Sequence, residues 1–96
     1  MEKARKIGVL GSGSWGTAMI KMLTENSNNI LWYVRDNIQA EEIIKTKRNP
    51  RYLKELEINI EKVFISSNIK EIIVKSDIII IAIPSPYIHK SRSHQV

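Results

Sequence analysis

All four glycines of this 96-residue chain lie between positions 8 and 16, and three of them form the segment Gly11-Ser-Gly13-Ser-Trp-Gly16. The segment directly follows the apolar run Ile7-Gly8-Val9-Leu10. A chain that leaves a buried strand and enters a helix within a few residues needs a tight turn, for which Gly11 supplies the dihedral freedom. Gly13 lets an anion approach the backbone because it has no Cβ, and Gly16 lets the helix lie close to the strand. The spacing therefore predicts a strand, a phosphate-binding turn and a helix in direct succession.

The residues after the turn have the apolar period of an α-helix. Five of them recur at spacings of three and four, namely Trp15, Ala18, Met19, Met22 and Leu23. This spacing predicts that they form the apolar face of the helix, with Trp15 in the first turn, close to where a pyrophosphate would lie. The polar run at positions 26–29 ends the helix, because Asn and Ser favour turns.

A second strand is predicted at positions 30–34, and Arg35-Asp36 follows it. In dinucleotide-binding units the tip of the second strand meets the adenosine ribose about 20 residues past the glycines. An acid there can accept hydrogen bonds from the ribose hydroxyls of NAD, whereas an arginine can bind the 2′-phosphate of NADP. Because successive residues of an extended segment point opposite ways, only one of Arg35 and Asp36 can face the ribose. The alternative for Asp36 is to cap the next helix.

The remaining elements follow from periodicity and from turn residues. Helices are predicted over 37–47, with Ile38, Ala40, Ile43 and Ile44 apolar, and over 69–75, with strands at 63–65 and 78–83. The segment 51–62 is predicted to be a loop or short helix followed by an irregular stretch. The last strand is a continuous, mostly β-branched run, as is typical of a parallel strand covered on both faces.

Alternating strands and helices predict an α/β fold, specifically a Rossmann-type doubly wound parallel sheet with strand order 3-2-1-4 that is truncated after the fourth strand. Ligands of such sheets bind beyond the strand ends, between the first and fourth strands. Gly11–Gly16 and Pro84-Ser85 are both expected at that crevice. Because the fourth strand is then an edge, we also expect a marginally stable chain that self-associates through it.

Composition narrows the class of protein. The chain has no cysteine, and its long apolar run of six residues is far too short to span a membrane, so a cytoplasmic domain is expected. The net charge of +5 comes from scattered side chains, which does not favour nucleic-acid binding. His89 and His94 lie in a polar end without an acid nearby, which predicts no metal site. We expect a dinucleotide-binding domain over 1–88 and a disordered tail over 89–96.

The chain resembles the N-terminal part of the bacterial NAD(P)-dependent glycerol-3-phosphate dehydrogenases. The likeness covers positions 6–88 and rests on Gly-Ser-Gly-Ser-Trp-Gly-Thr at 11–17, Leu-Trp and Arg-Asp within 31–36, Arg-Asn-Pro-Arg-Tyr-Leu at 48–53, and Ser-Asp-Ile-Ile-Ile-Ile-Ala-Ile-Pro-Ser at 76–85. It implies NAD or NADP as cofactor, with Ser14 and Trp15 beside the diphosphate and Arg35 facing the adenosine ribose or its 2′-phosphate. Tyr52 and Pro84-Ser85 would border the cofactor.

The family reduces dihydroxyacetone phosphate to glycerol 3-phosphate for phospholipid synthesis. Its members are far longer, and a second, helical domain supplies the substrate site and a catalytic lysine. A further lysine comes from the later part of the dinucleotide-binding domain. The resemblance therefore assigns no catalytic residue within these 96 residues. Two alternatives remain open: a related dehydrogenase of the ketopantoate or 6-phosphogluconate type, and a non-catalytic dinucleotide-binding module.

Overall fold

The computed structural model describes residues 5–83. The expectations for Pro84-Ser85, for the two histidines and for the tail at 89–96 lie outside the described residues.

Four strands and three α-helices alternate along the chain. The strands are β1 (Ile7–Leu10), β2 (Ile30–Tyr33), β3 (Val63–Ser66) and β4 (Ile78–Ile81), and the helices are α1 (Ser14–Thr24), α2 (Asn37–Thr46) and α3 (Ile69–Lys75). A short 3-10 helix (Ile60–Lys62) precedes β3 within the segment predicted to be a loop or irregular. None of the helices between residues 5 and 83 is long and apolar enough to cross a membrane.

The strands form one parallel sheet in the order β3-β2-β1-β4, which confirms the predicted topology. Strand β1 lies at the centre, where Leu10 is the register partner of both Tyr33 and Ile81. The pairing of β1 with β4 continues one residue beyond the end of β4, since the Ala82 amide donates to the Leu10 carbonyl at 2.8 Å. The carboxyl ends of β1, β2 and β4 therefore meet at one edge of the sheet.

Helices cover the sheet on both faces. The main core includes residues of α1 and α2 together with one face of the strands, and its buried members are Val9, Ile20, Ile30, Trp32, Val34, Ala40, Ile43, Ile58, Val63 and Ala82. Ile72 of α3 is also buried, and it lies beside Gly8. Because Gly8 and Val9 are neighbours on a strand and point to opposite faces, α3 covers the face opposite the main core.

The buried face of α1 differs from the predicted one. Trp15 is 65% exposed and Met22 is 53% exposed, whereas Gly16, Thr17, Ile20 and Thr24 are buried. The helix is rotated relative to the prediction because Gly16 must face the turn. Ile20 and Thr24, one and two turns later on the same side of the helix, therefore lie against the sheet. In α2 the apolar pattern was likewise only partly right, since Ile38 and Ile44 are exposed and the polar Gln39 is buried.

Strand β4 is shorter than the predicted 78–83 and is not covered on both faces. Ile78, Ile79 and Ile81 are exposed, the last by 67%. The strand is an edge of the sheet with β1 as its paired neighbour, so half of its surface lacks cover within the described residues. The composition of the run suits a more central position than the one it occupies here.

Asp36 caps α2. Its Oδ1 accepts hydrogen bonds from the amides of Ile38 at 2.8 Å and Gln39 at 3.3 Å, and its Oδ2 accepts one from Nη1 of Arg51 at 2.8 Å. The hydrogen bond from Arg51, followed by those from the two amides, lowers the pKa of the Asp36 carboxyl below its ordinary value of 3.8. The charged form of Asp36 thus stabilises the folded chain.

We expect Asp36→Ala to lower the melting temperature at pH 7, because the helix loses its cap and Arg51 loses its partner. A carboxyl whose folded pKa is depressed stabilises the fold above its unfolded value, near 3.8, and this contribution is lost as the pH falls through the folded value. The gap between parent and variant should therefore shrink as the pH falls below 3.8 in thermal unfolding followed by circular dichroism.

Arg51→Gln is the matched control, since it removes the ion pair and leaves both amide hydrogen bonds to Asp36 in place. Its melting temperature should fall by less than that of Asp36→Ala. A gap between parent and Asp36→Ala that stayed constant from pH 7 to pH 2 would contradict the assigned role of the charged carboxylate.

Candidate functional site

An open cavity of ≈ 690 Å³ lies at the edge of the sheet where β1, β2 and β4 end. Its lining combines the glycine turn with the strand ends and comprises Leu10, Gly11, Ser12, Gly13, Ser14, Trp15, Tyr33, Arg35, Tyr52, Ile69, Ile81 and Ile83. The predicted crevice between the first and fourth strands is thus present, and its size suits a small-molecule ligand.

Two glycines make the turn from β1 into α1 sterically feasible. Gly11 has φ +132°, and a Cβ at this position would lie 2.9 Å from the carbonyl carbon of Ala82. A Cβ at Gly16 would overlap the carbonyl oxygen of Gly11. Both contacts involve backbone atoms that cannot move aside cheaply, so larger residues are excluded at these positions by the fold itself.

Gly13 differs from these two glycines because no atom among residues 5–83 crowds it. A Cβ at this position would meet only Cζ of Tyr52 within 4 Å, at an ordinary contact distance of 4.0 Å. The residue is the N-cap of α1, where no side chain caps the helix and no acidic residue occupies the first turn. By contrast, the other helices within residues 5–83 are capped by Asp36, Asn59 and Asn68. The amides at the start of α1 are therefore available to an anion.

The carbonyl oxygens of the turn all accept hydrogen bonds from the protein interior. The carbonyl of Gly11 accepts from Nε1 of buried Trp32 at 2.7 Å. The carbonyl of Ser12 accepts from the side-chain amides of Gln39 at 3.1 Å and Asn49 at 3.0 Å. A third set of bonds fixes the carbonyl of Gly13, which accepts from the hydroxyl of Thr17 at 2.7 Å and from its amide at 3.0 Å. With the negative ends of these peptide dipoles held inward, the turn favours an anion on its amide side.

Ser14, Trp15 and Tyr52 all line the cavity. Trp15 and Tyr52 are both large and exposed, and neither belongs to the core cluster. Tyr52 lies near Gly13, with its Cζ 4.0 Å from the position that a Cβ of residue 13 would occupy. Contact with a cofactor stays a prediction for all three residues.

Arg35 and Asp36 have different surroundings. Arg35 lines the cavity, whereas Asp36 is directed to the amides of α2 and to Arg51. The capping alternative for Asp36 is the arrangement in the structure, and which of the two neighbours faces the ribose stays a prediction. A hydrogen bond from the ribose to Asp36 stays a prediction, and its carboxylate would have to accept it in addition to three existing bonds.

Sequence reasoning missed the buried side chains that hold the turn. Gln39 lies within the helix predicted at 37–47 and Trp32 within the strand predicted at 30–34, and neither is predicted to be a site residue. Asn49 was noted only as part of Arg-Asn-Pro-Arg-Tyr-Leu. The resemblance of that segment to the family is the one signal that pointed to it, and the structure shows that it contains both buried Asn49 and the cavity-lining Tyr52.

Comparison with known families gives one match across most of the chain. The family model described as NAD-dependent glycerol-3-phosphate dehydrogenase N-terminus matches residues 6–95. Among curated relatives, the glycerol-3-phosphate dehydrogenase [NAD(P)+] of Thermoanaerobacter sp. is 41% identical over 81 residues, which cover 83% of this chain and 24% of the relative. The protein of the same name from Pseudomonas syringae is 35% identical over 96 residues, or 100% of this chain and 28% of the relative.

Solved structures show the same fold. Glycerol-3-phosphate dehydrogenase from Saccharomyces cerevisiae superposes with a TM-score of 0.76 at 24% identity, over 96% of this chain and 30% of the other. The Plasmodium falciparum enzyme gives a TM-score of 0.76 at 24% identity, over 95% of this chain and 28% of the other. In these comparisons the chain spans between 24% and 30% of the relative's length.

The glycine turn, the strand order and the family match agree with one another. The expected likeness is thus confirmed, and it excludes the ketopantoate and 6-phosphogluconate types as the family of this chain. The chain belongs to the NAD-dependent glycerol-3-phosphate dehydrogenase family, of which it matches the N-terminal, Rossmann-type part.

Proposed function

We propose that the chain binds NAD(H) or NADP(H), with the diphosphate over the glycine turn. The observation that carries this proposal is the polarity of the turn: three successive carbonyls bond inward, and the first-turn amides of α1 have no side-chain cap. Gly13 opens onto the cavity, so the diphosphate can approach the backbone there. Family membership supports the same cofactor.

The other site residues have roles that follow from their places around the cavity. Ser14 and Trp15 would contact the diphosphate side, and Tyr52 would border the cofactor across from Gly13. Arg35 would contact the adenosine ribose or its 2′-phosphate. The Asp36 carboxylate already accepts three hydrogen bonds. We therefore expect it to weaken the binding of NADP(H) less than a carboxylate without hydrogen-bond partners would. Pro84-Ser85 remains a predicted border outside the described residues.

Gly13→Val should abolish binding of NADH and NADPH and leave the fold intact. The valine side chain would occupy the space that the diphosphate needs, but it meets no atom of the protein closer than about 4.0 Å at its Cβ. Binding can be followed as quenching of tryptophan fluorescence during titration, with Trp15 exposed at the cavity as the reporter. Circular dichroism of the variant should match that of the parent.

Gly16→Val is the contrasting variant, because its side chain would collide with the Gly11 carbonyl. It should destabilise the fold itself, on the order of 3 kcal/mol. The assignment of Gly13 to the cofactor would be wrong if Gly13→Val bound either dinucleotide as tightly as the parent does.

We propose that the longer proteins of the family reduce dihydroxyacetone phosphate. They would thereby supply glycerol 3-phosphate for phospholipid synthesis in the cytoplasm. Within the described residues, the side chains that line the cavity include no lysine, histidine or carboxylate. Hydride transfer to a ketone needs a proton donor near the developing alkoxide and cations that hold the substrate phosphate. Arg35 is the one cation among the described residues of the lining, and it is assigned to the cofactor.

The 96-residue chain should therefore not turn over dihydroxyacetone phosphate. Substrate positioning and acid catalysis each contribute roughly 10²-fold or more, so their joint absence should place turnover at least about 10⁴-fold below that of ordinary dehydrogenases. The assay is NADH oxidation by the purified chain, followed by absorbance, with a full-length glycerol-3-phosphate dehydrogenase as positive control. Turnover on the order of 1 s⁻¹ or faster would refute this prediction.

We also propose that the chain self-associates through β4. Its exposed isoleucines form an unpaired edge, and exposed Trp15 lies beside the end of the strand. Long, apolar edge strands are templates for pairing with another chain. The same exposed surface implies marginal stability of the monomer, because the strand buries little of its apolar area.

Ile79→Lys should shift the chain toward the monomer in sedimentation velocity, because a charge on an edge strand opposes pairing. Val74→Lys is the matched control: Val74 lies on α3, is more exposed than Ile79, and should leave the distribution of species unchanged. A parent chain that sediments as a clean monomer at all concentrations, with a cooperative unfolding transition, would disprove self-association.

A further inference from the structure

Asn49 is fully buried and makes four hydrogen bonds through its side chain. Its Nδ2 donates to the Ser12 carbonyl at 3.0 Å and to the hydroxyl of Thr17 at 2.8 Å. Its Oδ1 accepts from Nε2 of Gln39 at 3.2 Å and from the amide of Arg51 at 3.1 Å. Two donors and two acceptor sites are the full capacity of an asparagine amide, so its orientation is fixed by its neighbours.

These four bonds connect the segment at 49–52 with the glycine turn, with the α1 helix that follows the turn, and with α2. One partner lies in the glycine turn, one in the first turns of α1, one in α2 and one in the segment that leads to Tyr52. Asn49 itself does not line the cavity. It can therefore influence a ligand only through the backbone and side chains that it holds.

The Ser12 peptide needs such support because it lies between two glycines. Glycine populates many backbone conformations with similar energy, so the peptide units beside Gly11 and Gly13 are intrinsically easy to rotate. A rotated Ser12 peptide would point its carbonyl oxygen toward the cavity and repel a diphosphate there. The donors on Asn49 and Gln39 favour the one orientation in which that oxygen is directed inward.

We propose that Asn49 is a positioning residue of the dinucleotide site. It holds the Ser12 carbonyl away from the diphosphate and ties the Tyr52 segment to the turn, so it sets cofactor affinity without touching the cofactor. This role rests on the proposed function of the turn. It also accounts for the occurrence of Asn49 and Tyr52 in the same short segment, since one anchors the turn and the other borders the cavity that the turn forms.

Two threonines of α1 provide a matched test. Thr17 and Thr24 are both buried, and each donates its hydroxyl to the carbonyl four residues earlier, at 2.7 and 2.8 Å. Only the hydroxyl of Thr17 also accepts a hydrogen bond from Asn49. Valine at either position keeps the shape and removes the hydroxyl, so both variants lose a bond to a carbonyl four residues earlier. Thr17→Val loses in addition the contact with Asn49, and its lost carbonyl partner, Gly13, belongs to the turn that Asn49 supports.

Dissociation constants for NADH and NADPH are measured by fluorescence titration of the full 96-residue chain and its variants. Asn49→Ala and Thr17→Val should bind more weakly on the order of tenfold or more, because a buried partner is left unsatisfied beside the turn. Thr24→Val should bind within about twofold of the parent, although its melting temperature falls. Thr17→Ser, which keeps the hydroxyl, should restore affinity.

Amide hydrogen exchange at position 17, whose amide donates to the Gly13 carbonyl, is a second measurement that needs no cofactor. It should be faster in Thr17→Val and Asn49→Ala than in the parent, and unchanged in Thr24→Val. If Asn49→Ala does not fold, the comparison of Thr17→Val with Thr17→Ser decides the outcome.

Equal losses of affinity in Thr17→Val and Thr24→Val would overturn the positioning role, because they would reflect lost stability alone. A parent chain that binds neither dinucleotide would instead refute the proposed function. In that case the exchange rates still decide whether Asn49 orders the turn.

Discussion

The approach of α1 to the end of β1 is the constraint on which the rest of the site depends. Gly16 lies against the Gly11 carbonyl, and Gly11 in turn lies against the backbone of Ala82 beyond β4. The turn is therefore pressed between its own helix and the neighbouring strand, with no room for a side chain at either glycine. This close packing brings the start of α1 to the strand ends, and so creates a crevice in which helix amides and sheet edge face the same ligand.

Close packing alone would leave the peptide units of the glycine turn easy to rotate. A buried network of polar side chains holds the turn in one conformation. The side chains of Trp32, Gln39 and Asn49 reach the turn from β2, from α2 and from the segment after α2. In the described residues no buried side-chain nitrogen or oxygen is left without a partner. A fully satisfied network of this kind is rigid, because any rotation would leave a buried donor or acceptor unpaired.

The two edges of the crevice have opposite characters. On one side Arg35 lines the cavity, and its chain neighbour Asp36 forms an exposed ion pair with Arg51 outside the lining. On the other side β4 presents exposed isoleucines, and the face of α1 beside it carries Trp15. Among the described residues, the cavity lining thus combines one cation, Arg35, with exposed isoleucines of β4 and of the segment after it.

The sequence by itself determined the order of the elements, the parallel sheet and the location of the turn. These features follow from local signals: the glycine spacing, the unbroken isoleucine run, and the caps supplied by Asp36 and Asn68. Local periodicity failed to predict which side chains of α1 are buried, because packing against the sheet decides this. It placed Trp15 and Met22 on the apolar face of α1, but the need to turn Gly16 inward rotated the helix and left both exposed.

Only the tertiary structure decided which polar residues hold the site. Nothing in the local sequence distinguishes buried Gln39 and Asn49 from the solvated amides elsewhere in the chain. Their role depends on the Ser12 carbonyl, which is 27 residues from Gln39 and 37 from Asn49 along the chain. Such long-range hydrogen bonds exist only once the sheet and helices have brought the segments together, so their physical cause lies in the fold and not in any short stretch of sequence.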